Sequence, residues 1–191
     1  MNRDTRAALL DLAERNARSR GFDGFSYADL AATIGIKKAS IHYHFPTKAD
    51  LSECLIERYH TNLKHRLAEI GLACPTAGAR LQALVSMYRE ALHDGQTVCL
   101  CVAFSIGRGS LPVAVVNRVG GVRAMTLEWL RIAFELGLRD MSISAICDPA
   151  HEAHATLAML EGAHLAARAA EDPAPFDAAT RLLEARCKTP G

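Results

Sequence analysis

The side chains best equipped to act on another molecule are concentrated between Ser26 and Lys48. Lys37, Lys38 and Lys48 carry fixed positive charge, which displaces counterions when it meets phosphate. Ala39, Ser40 and His42 place a methyl, a hydroxyl and an imidazole on neighbouring positions, groups that can meet the edges of bases. Ser26 and Thr47 each stand where a helix should begin, and the free N–H groups of a helix N-terminus suit an oxyanion. This is the chemistry of binding a polyanion and not of making or breaking bonds. Six cysteines and eight histidines are present, but no nucleophile elbow, glycine-rich phosphate loop or H-E-x-x-H motif orders them. Neither an enzymatic activity nor a cofactor is expected.

The elements that must position these residues can be read locally. Ser26 and Asp29 form a Ser-x-x-Asp capping box, so a helix begins there. Leu30, Ala31 and Ile34 recur at helical spacing and define its buried face. Gly35 supplies the permissive backbone of a tight turn. A second helix is predicted from about Lys37 to His44, pinned by Ile36 and Ile41. It leaves Lys38, Ala39, Ser40, His42, Tyr43 and His44 facing outward. Pro46 ends it, and Thr47 with Asp50 caps a third helix. Two short helices across a glycine turn make a helix-turn-helix, whose second helix enters the DNA major groove.

Several of these positions agree in one register with a known family. Gly21-Phe22, Ser26, Leu30-Ala31, Gly35-Ile36, Lys38-Ala39-Ser40-Ile41, Tyr43-His44-Phe45 and Lys48-x-x-Leu51 resemble the DNA-binding domain of the tetracycline-repressor (TetR, AcrR-like) family of bacterial transcription regulators. The resemblance is carried by residues 5–60 and is architectural beyond them. It implies an all-α protein. An N-terminal three-helix helix-turn-helix domain, residues 1–47, precedes a helical effector-binding and dimerisation domain, residues 48–191, with residues 48–71 as the connecting helix. It further implies that Tyr43 and His44 touch the DNA backbone. Two positions depart from the family pattern. Lys37 replaces the usual Ser or Thr cap, and His42 stands where Tyr is frequent, which bears on base preference.

Helices are predicted over residues 4–20, 79–94, 100–107, 113–137, 150–171 and 175–187. Residues 74–78 form a linker, and Gly120-Gly121 weakens the middle of the long helix. Ala155, Ala158, Met159, Gly162, Ala163, Ala166 and Ala170 place small residues along one face of the penultimate helix. The resemblance implies a homodimer through the last two helices, which would present two recognition helices to a palindromic operator of double-stranded DNA. It also implies an unidentified small-molecule effector that releases a repressor from DNA. Tyr88, Phe104, Met125, Trp129, Phe134, Met159 and His164 are the expected liners of its site. Few charges interrupt these faces, so an apolar or aromatic ligand is expected, with a polar handle at His93 or His164.

The cysteines supply an alternative signal. Cys99-Leu-Cys101 falls at a predicted loop-to-helix junction, where a helix N-terminus lowers a thiol pKa. On that reading Cys99 or Cys101 senses electrophiles or oxidants, with Cys74 or a thiol of the second subunit as partner. No metal site is expected, because Cys-x-Cys is too short a motif and a fourth ligand is missing. A Cys/His enzyme and a helical protein-interaction module are the contrasting classes.

Composition agrees. The 191 residues are 50% hydrophobic, ample for a packed core, and the net charge is only +1. That charge is uneven. Residues 1–66 hold 11 Lys and Arg against 8 Asp and Glu, and the remainder holds 11 against 13. No apolar run is long enough to span a bilayer and no export signal opens the chain, so a cytoplasmic location without membrane contact is expected.

Overall fold

The computed structural model describes residues 3–188, with side chains from Thr5 onward; the outer domain limits at residues 1 and 191 lie outside these. Among the described residues all regular elements are helical. They are α1 (Arg3–Arg20), α2 (Tyr27–Ile34), α3 (Lys38–His44), α4 (Lys48–Ala73), α5 (Ala77–Glu90), α6 (Leu100–Ile106), α7 (Val113–Asp140), α8 (Pro149–Ala170) and α9 (Ala174–Arg186), with short 3-10 turns at Phe22–Gly24 and Arg108–Ser110. None of these helices is long and apolar enough to cross a membrane.

The chain packs as two compact units. One holds the residues up to Thr61 with Leu100–Gly121, the other Asn62–Cys99 with the residues from Val122 onward. Packing therefore does not divide the chain at residue 47. The first half of α4 joins the N-terminal helices through Leu51, Leu55 and Ile56, which are fully buried. Helix α6 joins them too, with Phe104 edge-on to Phe22 at 5.9 Å.

In the first unit, Leu9, Ala13 and Ala17 form the inner face of α1 as their spacing predicts, and Phe22, Phe25, Leu30, Ile41 and Phe45 complete a small core. Arg58 of α4 ties the outer face of α1 through Asp11 at 2.6 Å and Glu14 at 2.7 Å.

In the second unit, α9 packs on α8 and on α5, with Leu81, Leu84, Leu130, Phe134, Leu160 and Phe176 fully buried. Helix α5 starts earlier and stops earlier than predicted. The Thr76 hydroxyl accepts from the Ala79 N–H, which draws Ala77 and Gly78 into the helix. Beyond Glu90 the chain turns through three left-handed residues, His93, Asp94 and Gly95. A Cβ at Gly95 would lie 2.6 Å from the Asp172 backbone nitrogen, so this turn needs glycine for clearance as well as for φ. Helix α7 is unbroken across Gly120-Gly121. Arg186 closes the C-terminal end of this unit with a two-pronged ion pair to Glu152 and hydrogen bonds to the Ser144 and Ala145 carbonyls.

Candidate nucleic-acid interface

Helix α2 is held at both ends by the predicted devices. The Ser26 N–H donates to Asp29 Oδ2 at 2.7 Å, and the Asp29 N–H donates back to Ser26 Oγ. The Ser26 hydroxyl, donating to the same Oδ2 at 2.8 Å, and then the Ser26 N–H hold the Asp29 carboxyl below the usual carboxylate range. Gly35 takes the left-handed conformation, with φ at 76°, and its N–H and that of Ile36 both close onto the Ala31 carbonyl. The chain can then re-enter a helix at once. Lys37 precedes α3 without a side-chain cap, as its type implies. Helix α4 opens with a second reciprocal box between Thr47 and Asp50.

These boxes change how the helix ends can meet phosphate. The N–H groups of Ser26 and Thr47 are already donated to carboxylates. The open donors of the first turns are therefore those of the residues that follow, Tyr27 and Ala28 in α2 and Lys48 and Ala49 in α4.

Helix α3 is anchored by one fully buried side chain, Ile41. Lys37, Lys38, Ala39, His42 and Tyr43 are exposed, Tyr43 at 80%. Ser40 and His44 are half-buried. His44 corrects the expectation of a fully outward residue. It lies one helical turn from Ile41, its Nε2 is enclosed without a hydrogen-bond partner, and its ring meets that of Tyr43 edge-on at 5.2 Å. The face directed outward is thus Lys38, Ala39, His42 and Tyr43.

Lys48 also differs from its expected use. Its Nζ donates to the Phe25 carbonyl at 2.7 Å and stands 4.5 Å from the centroids of both Phe22 and Phe25. Burial lowers its pKa, against the pull of Asp23 and Asp29. The ammonium is a clamp inside the first unit. Lys38→Ala should therefore weaken binding to all DNA sequences alike and reduce the salt slope by about 1. Lys48→Met should instead lower the unfolding free energy by about 1–2 kcal/mol, for a hydrogen bond from a charged group and its cation–π contacts. DNA titration at several salt concentrations and urea denaturation separate the two.

Tyr27 is the site residue that sequence reasoning missed. Its ring is buried, and its hydroxyl reaches the Phe45 carbonyl at 3.0 Å and the Thr47 carbonyl at 2.5 Å. It braces the turn between α3 and α4 from below. The signal was an aromatic residue directly after a helix cap, a place that gains nothing from being aromatic unless the ring reaches something. Burial, with Asp50 and Cys54 adding, pushes its pKa up to about 12. Stability from this hydroxyl is complete below pH 10, the ordinary tyrosine value, and is lost as pH rises toward 12. Tyr27→Phe should lower stability by about 1–2 kcal/mol at pH 7 and flatten the alkaline fall in stability between those values. A pH series of urea melts reads both effects.

Comparison with known proteins places this geometry. Residues 9–54 match the family model of bacterial regulatory proteins of the tetR family, and residues 77–183 match that of the tetracyclin repressor-like C-terminal domain. The chain belongs to the TetR family. This TetR-family chain is 24% identical over 192 residues to NemR of Escherichia coli K12, an HTH-type transcriptional repressor, covering 98% of this chain and 96% of NemR. It is 29% identical over 96 residues to TtgR of Pseudomonas putida, an HTH-type transcriptional regulator, and there the match spans about half of each protein, 49% and 46%. The crystal structure of a TetR-family transcriptional regulator from Agrobacterium tumefaciens superposes with a TM-score of 0.91 at 29% identity, over 98% of this chain and 100% of that one.

The residues expected to line an effector site are divided between the two units. Phe104 belongs to the core of the first unit, against Phe22, while Tyr88, Met125, Trp129, Phe134, Met159 and His164 belong to the second. The Trp129 indole N–H donates to the Leu67 carbonyl at 3.1 Å. His164 is fully buried and both ring nitrogens are engaged. Nδ1 accepts from the Cys99 N–H and Nε2 donates to the Tyr88 carbonyl, each at 3.0 Å. It is a strut of the core and not a free handle for a ligand. An open groove of about 460 Å³ lies in this unit between the end of α4 and α5, lined by Ile70, Ala73, Cys74 and Met87 with Arg66 and Glu90 paired at its edge. None of the expected liners borders it.

Cys99 and Cys101 do flank the start of α6 as predicted, but both are buried, at 4% and 5% exposure. At the end of the loop before α6, the Cys99 N–H donates to buried His164. A thiol sensor needs access to its oxidant, which these two lack. Cys147 is the exposed cysteine.

Proposed function

We propose that this chain is a DNA-binding transcription regulator, a repressor that binds a palindromic operator as a homodimer and is released by a small apolar ligand. The observation that carries this reading is the outward face of α3. Its one fully buried anchor is Ile41, and the side chains directed to solvent are a cation, a methyl, an imidazole and a phenol. The two helices that hold it are capped at their starts by reciprocal hydrogen bonds. A helix that only packed would spend more of its seven residues on the core.

The dimer is supported by α8. Ala155, Ala158, Gly162 and Ala166 are exposed along one face with Leu165 beside them, and α9 adds Leu182 at 78% exposure. Ala163 is not part of that face, being 4% exposed within its own unit. A solvent-facing stripe of small side chains gains nothing in a monomer and allows close helix approach in a pair. For release by a ligand, the groove beside Ile70 and Met87 has suitable size and lining, and its Arg66–Glu90 pair would favour an apolar molecule with one polar end.

The test is fluorescence anisotropy of DNA from upstream of the chain's own gene, titrated at rising salt. Tight binding that weakens steeply with salt, and weakens uniformly in Lys38→Ala, supports the reading. Failure to bind that DNA and nonspecific DNA alike at low salt rejects it.

A further inference from the structure

His42 is exposed, yet its ring is not free to turn. Nδ1 lies 3.0 Å from the Pro46 carbonyl oxygen, and the ring packs against that of Tyr27 with centroids 5.0 Å apart and planes at 66°. Tyr27 is itself fastened to the carbonyls of Phe45 and Thr47, on either side of Pro46. Three successive carbonyls of one turn thus hold both rings.

A carbonyl only accepts, so Nδ1 must carry the proton. In neutral imidazole one ring nitrogen donates and the other accepts. The contact with Pro46 therefore leaves Nε2, on the opposite edge of the ring, with an unprotonated lone pair. A freely rotating histidine could offer either kind of group to DNA. This one offers an acceptor in a set orientation, on the exposed side of α3 beside Lys38 and Ala39.

The major groove distinguishes such a group. Adenine N6 and cytosine N4 present amino donors there, while guanine O6 and N7 and thymine O4 present acceptors. Resting on the proposed DNA-binding reading, we propose that His42 is a specificity-determining residue whose Nε2 accepts a hydrogen bond from the exocyclic amino group of adenine or cytosine at one base pair of each half-site. Tyr27 and the Pro46 carbonyl are its positioning groups. His42 selects amino bases over keto bases on one strand, and leaves A-versus-C at that position to its neighbours.

The test selects bound sequences from a random duplex library at pH 8, using the full chain and its His42→Phe variant. The wild type should enrich A or C over G or T at one position per half-site, and the variant should lose that preference while keeping the rest of the profile. In the selected duplex, the amino group is then deleted from that base by substituting purine for adenine or 2-pyrimidinone for cytosine. This second step needs no altered protein. Deletion should weaken wild-type binding about five- to tenfold, the range of one neutral hydrogen bond, and weaken His42→Phe less than twofold. A keto base at the position, a profile unchanged in the variant, or wild-type indifference to the deleted amino group overturns the assignment and leaves the regulator standing. Failure of the wild type to enrich any sequence overturns the DNA-binding reading itself, and this assignment with it.

Discussion

His164→Leu should destabilise the second unit by about 4 kcal/mol. The side chain is fully buried, and its two ring nitrogens join α8 to the backbone of α5 at Tyr88 and to the start of the α6 approach at Cys99. Leucine fills much of the volume but serves neither the Cys99 N–H nor the Tyr88 carbonyl. Each buried polar group deprived of its partner costs about 1–3 kcal/mol. The imidazole also stands edge-to-face with Tyr88 at 5.4 Å and with Phe176 at 5.5 Å, contacts worth about 0.5–1.5 kcal/mol per aromatic pair. Urea denaturation followed by circular dichroism measures the loss. Cys99→Ala is the control. It keeps the backbone N–H that matters and removes one small buried group, so it should cost about 1 kcal/mol. A His164→Leu protein as stable as the control would mean that the two hydrogen bonds contribute little.

Gly162→Arg should turn the proposed dimer into a monomer and weaken operator binding about a thousandfold. A Cβ at Gly162 meets nothing within 4 Å, so the single chain has room for a large side chain. Arginine is also a better helix former than glycine by roughly 0.8 kcal/mol, and helicity should be kept or rise. A second copy packed on the Ala155–Ala166 face would bring helix axes to about 8–10 Å, a spacing that an arginine at its centre prevents. With the two recognition helices unlinked, each half-site is bound alone and the avidity factor of about 10²–10⁴ disappears. Light scattering behind size exclusion reads the mass, and anisotropy reads the affinity. A variant that stays dimeric would place the interface elsewhere. A variant that becomes monomeric yet binds the operator as before would separate dimerisation from DNA recognition.

Local and long-range contacts in this chain differ in how far the residues alone reveal them. Caps are local. Ser26 with Asp29 and Thr47 with Asp50 close rings within one helical turn, and both form as their spacing requires. The same holds for Gly35, whose left-handed φ ends α2, and for Leu9, Ala13 and Ala17, whose recurrence marks the buried side of α1. Side chains with two possible uses were not legible in this way. Lys48 is a cation in a first helical turn, and nothing within four residues tells that it folds onto the Phe25 carbonyl 23 residues away. His164 sits on an amphipathic helix like any pocket residue, and its hydrogen-bond partners lie 65 and 76 positions distant. Cys99 and Cys101 read as residues at a helix start, which they are. Their burial depends on the fold around them.

The amino-acid sequence by itself determined the helical class, the order and approximate limits of the helices, the helix-turn-helix and the outward placing of Lys38, Ala39, His42 and Tyr43. All of these follow from contacts closed within a few residues and from the period at which apolar side chains recur. Only the tertiary structure decided which of the charged and hydrogen-bonding groups remain available. It turned the Lys48 ammonium inward, engaged both nitrogens of His164, enclosed two thiols and half of His44, and set the His42 ring on Tyr27 and Pro46. A polar group has several competing partners at similar distance along the chain. Which one it meets is settled by the packing of distant helices, whose apolar faces fix the geometry first.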